Sequence, residues 1–256
     1  MTQKKTMVSV FRHGYSPYNQ DVVELSDAND LTEKGIAAVT ASARALRDRR
    51  GAFERVVLLS SPRGRTLHSA KLIGGVIGVG KGIIIEPLLD EVANFNWDHF
   101  SPLVSGGKLD FGGRTYTINA KLTNPKKLAL GEYYNCNAIA DITPSARSKL
   151  PPSYVDYIDS IEIFESTSAR LLKVLEKVRW LAQLPGNYRL VLSTHDALTG
   201  YLSEIFTGGE ERGLTPGGCI DLELTGEKLV VTRVGDIIHG RSDIDVFAAF
   251  NERFAK

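Results

Sequence analysis

Strand-like and helix-like segments alternate along most of this 256-residue chain, and no other feature limits its fold as much. Short apolar runs rich in Val, Leu and Ile predict strands, and apolar residues at helical spacing predict helices. This alternation predicts an α/β fold: a three-layer sandwich with a mostly parallel central sheet and helices on both faces. The predicted strands are 7–11, 55–60, 83–89, 189–194, 219–224 and 228–234, the last two forming an edge hairpin; the predicted helices are 32–49, 63–77, 154–184, 197–206 and 243–254.

The segment 94–152 interrupts this rhythm because it is rich in Gly, Asn, Pro, Ser and Tyr. Within it, 108–111 and 114–118 flank Gly112-Gly113 and predict a small hairpin. A long irregular stretch inside a compact domain is usually functional, so we expect a lid, with a surface elaboration as the alternative. The chain is therefore predicted to be one domain, 1–256, with an inserted lid region at about 94–152.

Two predicted strands each end at a histidine. The first runs into His13 and the second into His195, and polar residues follow both. In an open α/β sheet, ligands bind at the carboxyl ends of the strands. The two histidines are therefore predicted to face one pocket.

Composition and charge bear on the partners and the cellular location of the protein. The formal net charge is +1, which gives no electrostatic signal for nucleic acid or membrane as a partner. The two cysteines, Cys136 and Cys219, make no disulfide framework, and no apolar run approaches the length of a membrane span. The first residues carry charge without the apolar stretch of a signal peptide. We expect a cytoplasmic protein, and the oligomeric state is left open, a homodimer included.

Five short motifs follow one another between residues 12 and 195. In chain order they are Arg12-His13-Gly14-x-Ser16-x-x-Asn19, Asp30-Leu31-Thr32-x-x-Gly35, Ser60-Ser61-Pro62-x-x-Arg65-x-x-x-Ser69-Ala70, Leu89-x-Glu91 and Ser193-x-His195. On these motifs the chain resembles the histidine phosphatase superfamily, also called the phosphoglycerate mutase-like family. Ser69 stands where that family usually has Thr, and the 94–152 stretch matches none of its motifs. One motif alone is weak, but five in order are specific.

The resemblance implies a set of site residues whose chemistry suits phosphoryl transfer. A neutral imidazole is a nucleophile near pH 7, so His13 is predicted to form a phosphohistidine that water hydrolyses. Arginine offers forked donors that stay charged, and a second histidine can stabilise charge in the transition state. The predicted phosphate-binding residues are Arg12, Arg65, His195, Asn19 and Ser16, of which Arg12, Arg65 and His195 are also predicted to be catalytic. Catalysis by positioning and electrostatics requires no metal or cofactor, and none is expected.

The proton donor to the leaving group has two candidates. The branch with the Arg-His-Gly-x-Ser signature uses the glutamate of Leu-x-Glu, hence Glu91 here. The other branch, the histidine acid phosphatases, uses an aspartate directly after the second histidine, where this chain has Asp196. We favour Glu91, because the N-terminal signature belongs to the first branch, and rank Asp90 third.

The resemblance favours a phosphomonoesterase acting on a small phosphorylated metabolite. A mutase is the first alternative, although the insertion lacks the adjacent arginine pair of the family's mutases. A nucleotide-binding protein is a weaker alternative: Gly75-x-x-x-x-Gly80-Lys81 nearly spells a P-loop, but Gly82 replaces the required hydroxyl residue. A non-catalytic phosphate-binding relative is the third.

Overall fold

The computed structural model describes ten stretches of the chain. They are residues 5–16, 30–51, 54–79, 82–90, 104–105, 108–111, 114–117, 164–207, 214–235 and 244–249. The chain divides into two compact units. One comprises Met1–Pro17, Glu24–Glu91 and Ser168–Lys256, and the other Tyr18–Val23 and Val92–Thr167.

The first unit is built on a six-stranded mixed sheet in the order β3-β2-β7-β1-β8-β9. Its strands are β1 (Thr6–Arg12), β2 (Glu54–Ser60), β3 (Ile84–Ile85), β7 (Asn187–Thr194), β8 (Cys219–Thr225) and β9 (Lys228–Val234). The strands from β3 to β1 run parallel, while β8 and β9 form an antiparallel hairpin at one edge, as predicted. The predicted α/β fold class is thus confirmed.

Helices α1 (Glu33–Arg49) and α2 (Gly64–Ile77) cover part of the sheet. Their apolar stripes recur at helical spacing and pack on alternate residues of the strands. The buried cluster contains Val39, Ala43 and Leu46 from α1, Ala70, Ile73 and Ile77 from α2, and Phe11, Leu58, Val191 and Cys219 from the sheet. This packing holds the starts of α1 and α2 beside the carboxyl ends of β1 and β2.

Three further helices follow in the chain: α3 (Phe164–Leu175), α4 (Lys177–Gln183) and α5 (Asp196–Thr207). Helices α4 and α5 pack on β1 and its neighbours. Because strand side chains alternate between faces, Val8 and Val10 point away from the cluster that holds Phe11, and both are fully buried. Residues 154–163 of the predicted 154–184 helix lie outside the described residues, and the described part is divided at Glu176.

The predicted strand 83–89 was wrong over most of its length. Only Ile84–Ile85 pairs with β2, and Pro87–Leu89 forms a 3-10 turn. Pro87 has no N–H for a strand ladder, and the Glu86 side chain accepts a hydrogen bond from the backbone N–H of Leu88 at 3.2 Å. The chain therefore leaves the sheet early and turns towards the histidine pocket.

The predicted terminal helix, 243–254, begins later than expected. Asp245 forms an isolated bridge with Val230, and helix is described only from 246 to 249. The Asp245 carboxylate accepts from the N–H groups of Phe247 and Leu229, both at 3.1 Å, which caps this turn. Residues 243 and 250–254 lie outside the described residues.

In the second unit a three-stranded antiparallel sheet is described, with strands β4 (Val104–Ser105), β5 (Lys108–Phe111) and β6 (Arg114–Thr117). The predicted pairing of the two segments that flank Gly112-Gly113 is confirmed, because 108–111 and 114–117 form antiparallel strands. The remainder of the predicted lid, 94–152, lies outside the described residues, so its role stays a prediction. Across the described ranges, no helix has both the length and the apolar character needed to cross a lipid bilayer.

Candidate active site

The first predicted strand end delivers His13 into a tightly closed loop. The His13 backbone N–H donates to Thr194 O at 2.9 Å, and its carbonyl accepts from the Gly217 N–H at 2.9 Å. These bonds fix the backbone of His13 beside the end of β7, where His195 follows. The side chain of His13 is almost completely buried, with 1% of it exposed.

Glycine is required on both sides of the contact between this loop and α1. A Cβ on Gly14 would lie 2.5 Å from Gly35 O, and a Cβ on Gly35 would lie 2.1 Å from Tyr15 O. Thr32 caps α1 by accepting from the Gly35 N–H at 3.1 Å, and its own N–H donates to Tyr15 O at 2.9 Å. The motif at 30–35 therefore clamps the loop that carries His13.

Ser69 links the same loop to α2. Its hydroxyl donates to Arg65 O at 2.8 Å and accepts from the Gly14 N–H at 3.2 Å. A serine hydroxyl can make both bonds, so the replacement of the family's usual Thr keeps this contact.

Arg65 lies between the two predicted histidines. It is 2% exposed; its Nε donates to His13 Nε2 at 3.2 Å, and its Nη2 lies 3.3 Å from His195 Nδ1. The imidazole rings are 5.3 Å apart between centroids and inclined by 66°. The guanidinium thus directs two donors into the space that both histidines face.

The hydrogen bonds of His13 define which ring nitrogen carries the proton. Nδ1 lies 2.7 Å from Gly14 O, which can only accept, while Nε2 accepts from Arg65. The proton is therefore on Nδ1, and the lone pair of Nε2 points towards Arg65. Burial lowers the pKa of His13 well below its ordinary value, and the charges of Arg65 and Arg12 lower it further, against the opposing effect of Gly14 O. His13 is neutral near pH 7, as a nucleophilic imidazole must be.

His195 is neutral for similar reasons but has the opposite tautomer. Arginine only donates, so Nδ1 accepts from Arg65, and Nε2 donates to Ser61 Oγ at 2.9 Å. Burial lowers the pKa of His195 well below its ordinary value, and the positive charge of Arg65 is the next largest cause. Its side chain is 1% exposed.

Arg12, the last residue of β1, lies at the same end of the sheet. Its Nη1 forms an ion pair with Asp196 Oδ1 at 2.9 Å and also donates to Leu214 O. Its Nε is buried, with no hydrogen-bond partner within the described stretches. A buried arginine N–H without a partner is suited to donate a hydrogen bond to an anionic oxygen.

The structure thus brings together His13, Arg65 and His195 and places Arg12 with Asp196. Ser16 is completely buried. Asn19 and Glu91 lie outside the described residues, and Asp90, directly before Glu91, is described.

Sequence reasoning assigned no role to Ser61 or Arg63. Ser61 bonds His195, and Arg63 Nε pairs with Asp90 Oδ1 at 2.8 Å. Ser61 belongs to the motif that begins at Ser60, and this membership was the available signal that it lies at the site. His68, on the same helix as Arg65, bonds Asp30 Oδ1 at 2.5 Å.

The near P-loop has the wrong structural order for nucleotide binding. Gly75 lies inside α2, which ends at Ile77, and Gly78 closes it in the left-handed conformation with φ of 76°. A P-loop instead precedes its helix. Gly80 and Lys81 lie outside the described residues. Among the residues that are described, no group of three His, Cys, Asp or Glu side chains could hold a metal ion.

Residues 8–102 match the family model described as histidine phosphatase superfamily (branch 1). Among curated proteins, none matches the chain by sequence.

Solved structures with the same fold include a phosphoglycerate mutase from Bacillus anthracis str. Sterne, with 21% identity, a TM-score of 0.56, and coverage of 91% of this chain and 94% of that one. The putative alpha-ribazole-5'-P phosphatase from Escherichia coli str. K-12 substr. MG1655 has 16% identity and a TM-score of 0.52, covering 92% and 98%. YhfR from Bacillus stearothermophilus has 20% identity and a TM-score of 0.51, covering 91% and 98%. At these identities the shared property is the fold.

The mixed sheet and the agreement with these solved structures define an α/β protein that shares their fold. The chain is similar to the histidine phosphatase superfamily (branch 1) over residues 8–102, which are 95 of its 256 residues.

Proposed function

We propose that the protein is a metal-independent phosphomonoesterase that acts on a small phosphorylated metabolite through a phosphohistidine at His13. The observation that carries this proposal is the position of Arg65, which directs one nitrogen at His13 Nε2 and another at His195 Nδ1. A phosphoryl group bound at this position would accept hydrogen bonds from both Arg65 nitrogens in place of the two histidines. It would then lie against the lone pair of His13 and the imidazole of His195 at the same time.

In the first step the lone pair of His13 Nε2 attacks phosphorus, and the ester P–O bond breaks with its electron pair going to the leaving oxygen. Arg65 and Arg12 neutralise the charge of the phosphoryl oxygens. The leaving oxygen takes a proton from Glu91, the donor that the family signature favours. The Nδ1–H bond of His13 to Gly14 O stabilises the positive charge that develops on the imidazole.

In the second step water attacks the phosphohistidine. The conjugate base of the donor takes a proton from that water, the P–N bond breaks, and inorganic phosphate leaves. The buried, neutral state of His13 is then restored, because desolvation opposes its protonation.

The test is phosphate release from a panel of phosphomonoesters in EDTA, together with rapid-quench trapping of labelled phosphate on the protein. We expect label that is stable in alkali, lost in acid and mapped to His13, and we expect His13→Ala to lose phosphate release by several orders of magnitude. His68→Ala is the matched control, because it removes an imidazole that bonds only exposed Asp30 among the contacts described. Acid-labile phosphate on another residue, or an isomeric phosphorylated product in place of inorganic phosphate, would contradict the proposal; the second result would indicate a mutase.

A further inference from the structure

The sequence ranks Asp90 only third among the candidate proton donors, yet hydrogen bonds hold the turn that carries it in place. Its N–H donates to Pro87 O at 3.0 Å, and Arg170 Nη1 donates to Leu88 O at 2.9 Å and to Asp90 O at 3.0 Å. The Thr194 hydroxyl donates to Leu89 O at 2.7 Å. The turn that carries Asp90 is therefore bound to the residue directly before His195.

The carboxylate of Asp90 is directed at His195 through one bridging hydroxyl. Ser61 Oγ lies 3.3 Å from Asp90 Oδ1 and 2.9 Å from His195 Nε2, while Oδ1 itself is 3.8 Å from Nε2. Since Nε2 carries the proton, it donates to Ser61, and the Ser61 hydroxyl donates to the carboxylate. Arg63 Nε donates to the same carboxylate oxygen at 2.8 Å.

We propose that Asp90 is a positioning residue that acts through Ser61: it holds the Nε2–H of His195 away from the site and stabilises the imidazolium that forms when phosphate binds. The proposal rests on the proposed function, because it places phosphate between His13 and His195. A phosphate dianion in that space displaces Arg65 from His195 Nδ1. The ring then takes up a proton from the solvent at Nδ1, and the resulting Nδ1–H donates a hydrogen bond to a phosphoryl oxygen.

Charge around His195 explains why such support is needed. Arg65, His13, Arg63 and Arg12 all lower the pKa of His195, in addition to burial. An anion linked to Nε2 acts in the opposite direction, because it favours the charged ring. Among the described residues, the charged or titratable groups near His195 include Arg12 and His13 at the end of β1, Arg63 and Arg65 at the start of α2, Asp90 after the 3-10 turn, and Asp196 at the start of α5.

The experiment measures the affinity of the full-length protein for inorganic phosphate as a function of pH, with the His195 ring nitrogens followed by NMR in the phosphate complex. Protonated His195 binds the phosphate dianion, and this protonated form is lost as pH rises through its pKa. The plot of phosphate affinity against pH therefore has an alkaline limb, along which the affinity falls. Asp90→Asn lowers that pKa, and we expect the limb to move to lower pH by about one unit, with about tenfold weaker phosphate binding on the alkaline side. Ser61→Ala removes the bridge and is expected to act in the same direction.

Arg63→Gln separates this role from a structural one. It breaks the same ion pair as Asp90→Asn but removes a positive charge that lowers the pKa of His195, so the limb should move to higher pH. If the ion pair only stabilised the turn, both variants would move the limb in one direction. Asp48→Asn, at an exposed carboxylate of α1, is the control for the chemical change itself.

The outcomes distinguish this inference from the proposed function. A wild-type protein that binds neither phosphate nor vanadate would overturn the proposed function. If Asp90→Asn and Ser61→Ala both still bind phosphate, and neither moves the alkaline limb of phosphate affinity nor changes the NMR signals of the His195 ring, the role of Asp90 alone is overturned. If Asp90→Asn fails to fold, Ser61→Ala alone decides, because it leaves the carboxylate and its pair with Arg63 in place.

Discussion

Replacing Arg65 with lysine keeps the positive charge between the two histidines but removes the forked guanidinium. In the structure two separate nitrogens of Arg65 approach separate acceptors, at 3.2 Å on His13 and 3.3 Å on His195. A lysine ammonium is a single point, so it can occupy one of these positions but not both. At 2% exposure, water has little room to replace the lost donor.

The expected loss can be worked from that geometry. One charge-assisted hydrogen bond contributes about 1.5–3 kcal/mol, and about 1.4 kcal/mol is a factor of ten in rate. Loss of one of two such bonds to the transferring phosphoryl group should therefore lower kcat/KM about 10- to 150-fold. The assay is phosphate release at substrate concentrations well below KM, with inorganic phosphate affinity measured alongside.

The pH profile separates the charge of Arg65 from its shape. Arg65 is the second cause, after burial, of the lowered pKa of His13. Arg65→Lys retains this charge, so the acid limb of kcat/KM should stay in place. Arg65→Gln removes it, so the pKa of His13 should rise, and the limb, where the neutral nucleophile is lost as pH falls, should move to higher pH.

Arg55→Lys is the matched control, because Arg55 is exposed and contacts the Tyr188 hydroxyl at 3.2 Å. It should remain near wild type. An Arg65→Lys enzyme within twofold of wild type, with its fold intact, would refute the reasoning. It would mean that the fork does not hold the phosphoryl group in the transition state.

Two further predictions concern the loop and the proton donor. Gly35→Ala forces a Cβ to 2.1 Å from Tyr15 O, so we expect about 1–3 kcal/mol of destabilisation and a lower Tm by calorimetry, whereas Gly75→Ala, with nothing within 4 Å of the added methyl, should leave Tm unchanged or raise it. Wild-type Tm in Gly35→Ala would contradict the close approach. Glu91→Gln should slow alkyl phosphates far more than p-nitrophenyl phosphate, because only a poor leaving group needs a proton. Asp196→Asn should slow both equally, since Asp196 pairs with Arg12, the arginine that we propose binds phosphate. The reverse pattern would make Asp196 the donor.

Most elements could be predicted from the sequence because their signals are local. Apolar periodicity and capping residues act over one or two turns, so the predicted bounds of α1 and α2 agree with the structure to within one residue. The exception, 83–89, failed because Pro87 and the Glu86 side chain compete with the sheet for the same backbone. The motif order likewise predicted that His13 and His195 would meet, since both follow strands of one parallel sheet.

The tertiary structure alone decided which distant groups share a hydrogen bond. Arg189 reads in the sequence as an ordinary strand residue, yet it is 4% exposed and bonds Glu54 at 2.8 Å and Ser9 at 2.8 Å, with Asp221 Oδ1 at 3.4 Å. Buried charges are tolerated only when they are paired, and these three partners come from three different strands.

The candidate active site shows the same difference between what the sequence predicts and what the folded chain decides. Residue types and their spacing predicted an imidazole nucleophile and arginines for this site, because those chemical properties belong to the residues themselves. The tautomer of each histidine, the pairing of Arg12 with Asp196 and the path from Asp90 through Ser61 to His195 were decided by the folded chain. Hydrogen-bond direction and desolvation depend on which groups meet across the sheet, and that is a property of strand order and side-chain packing rather than of any local segment.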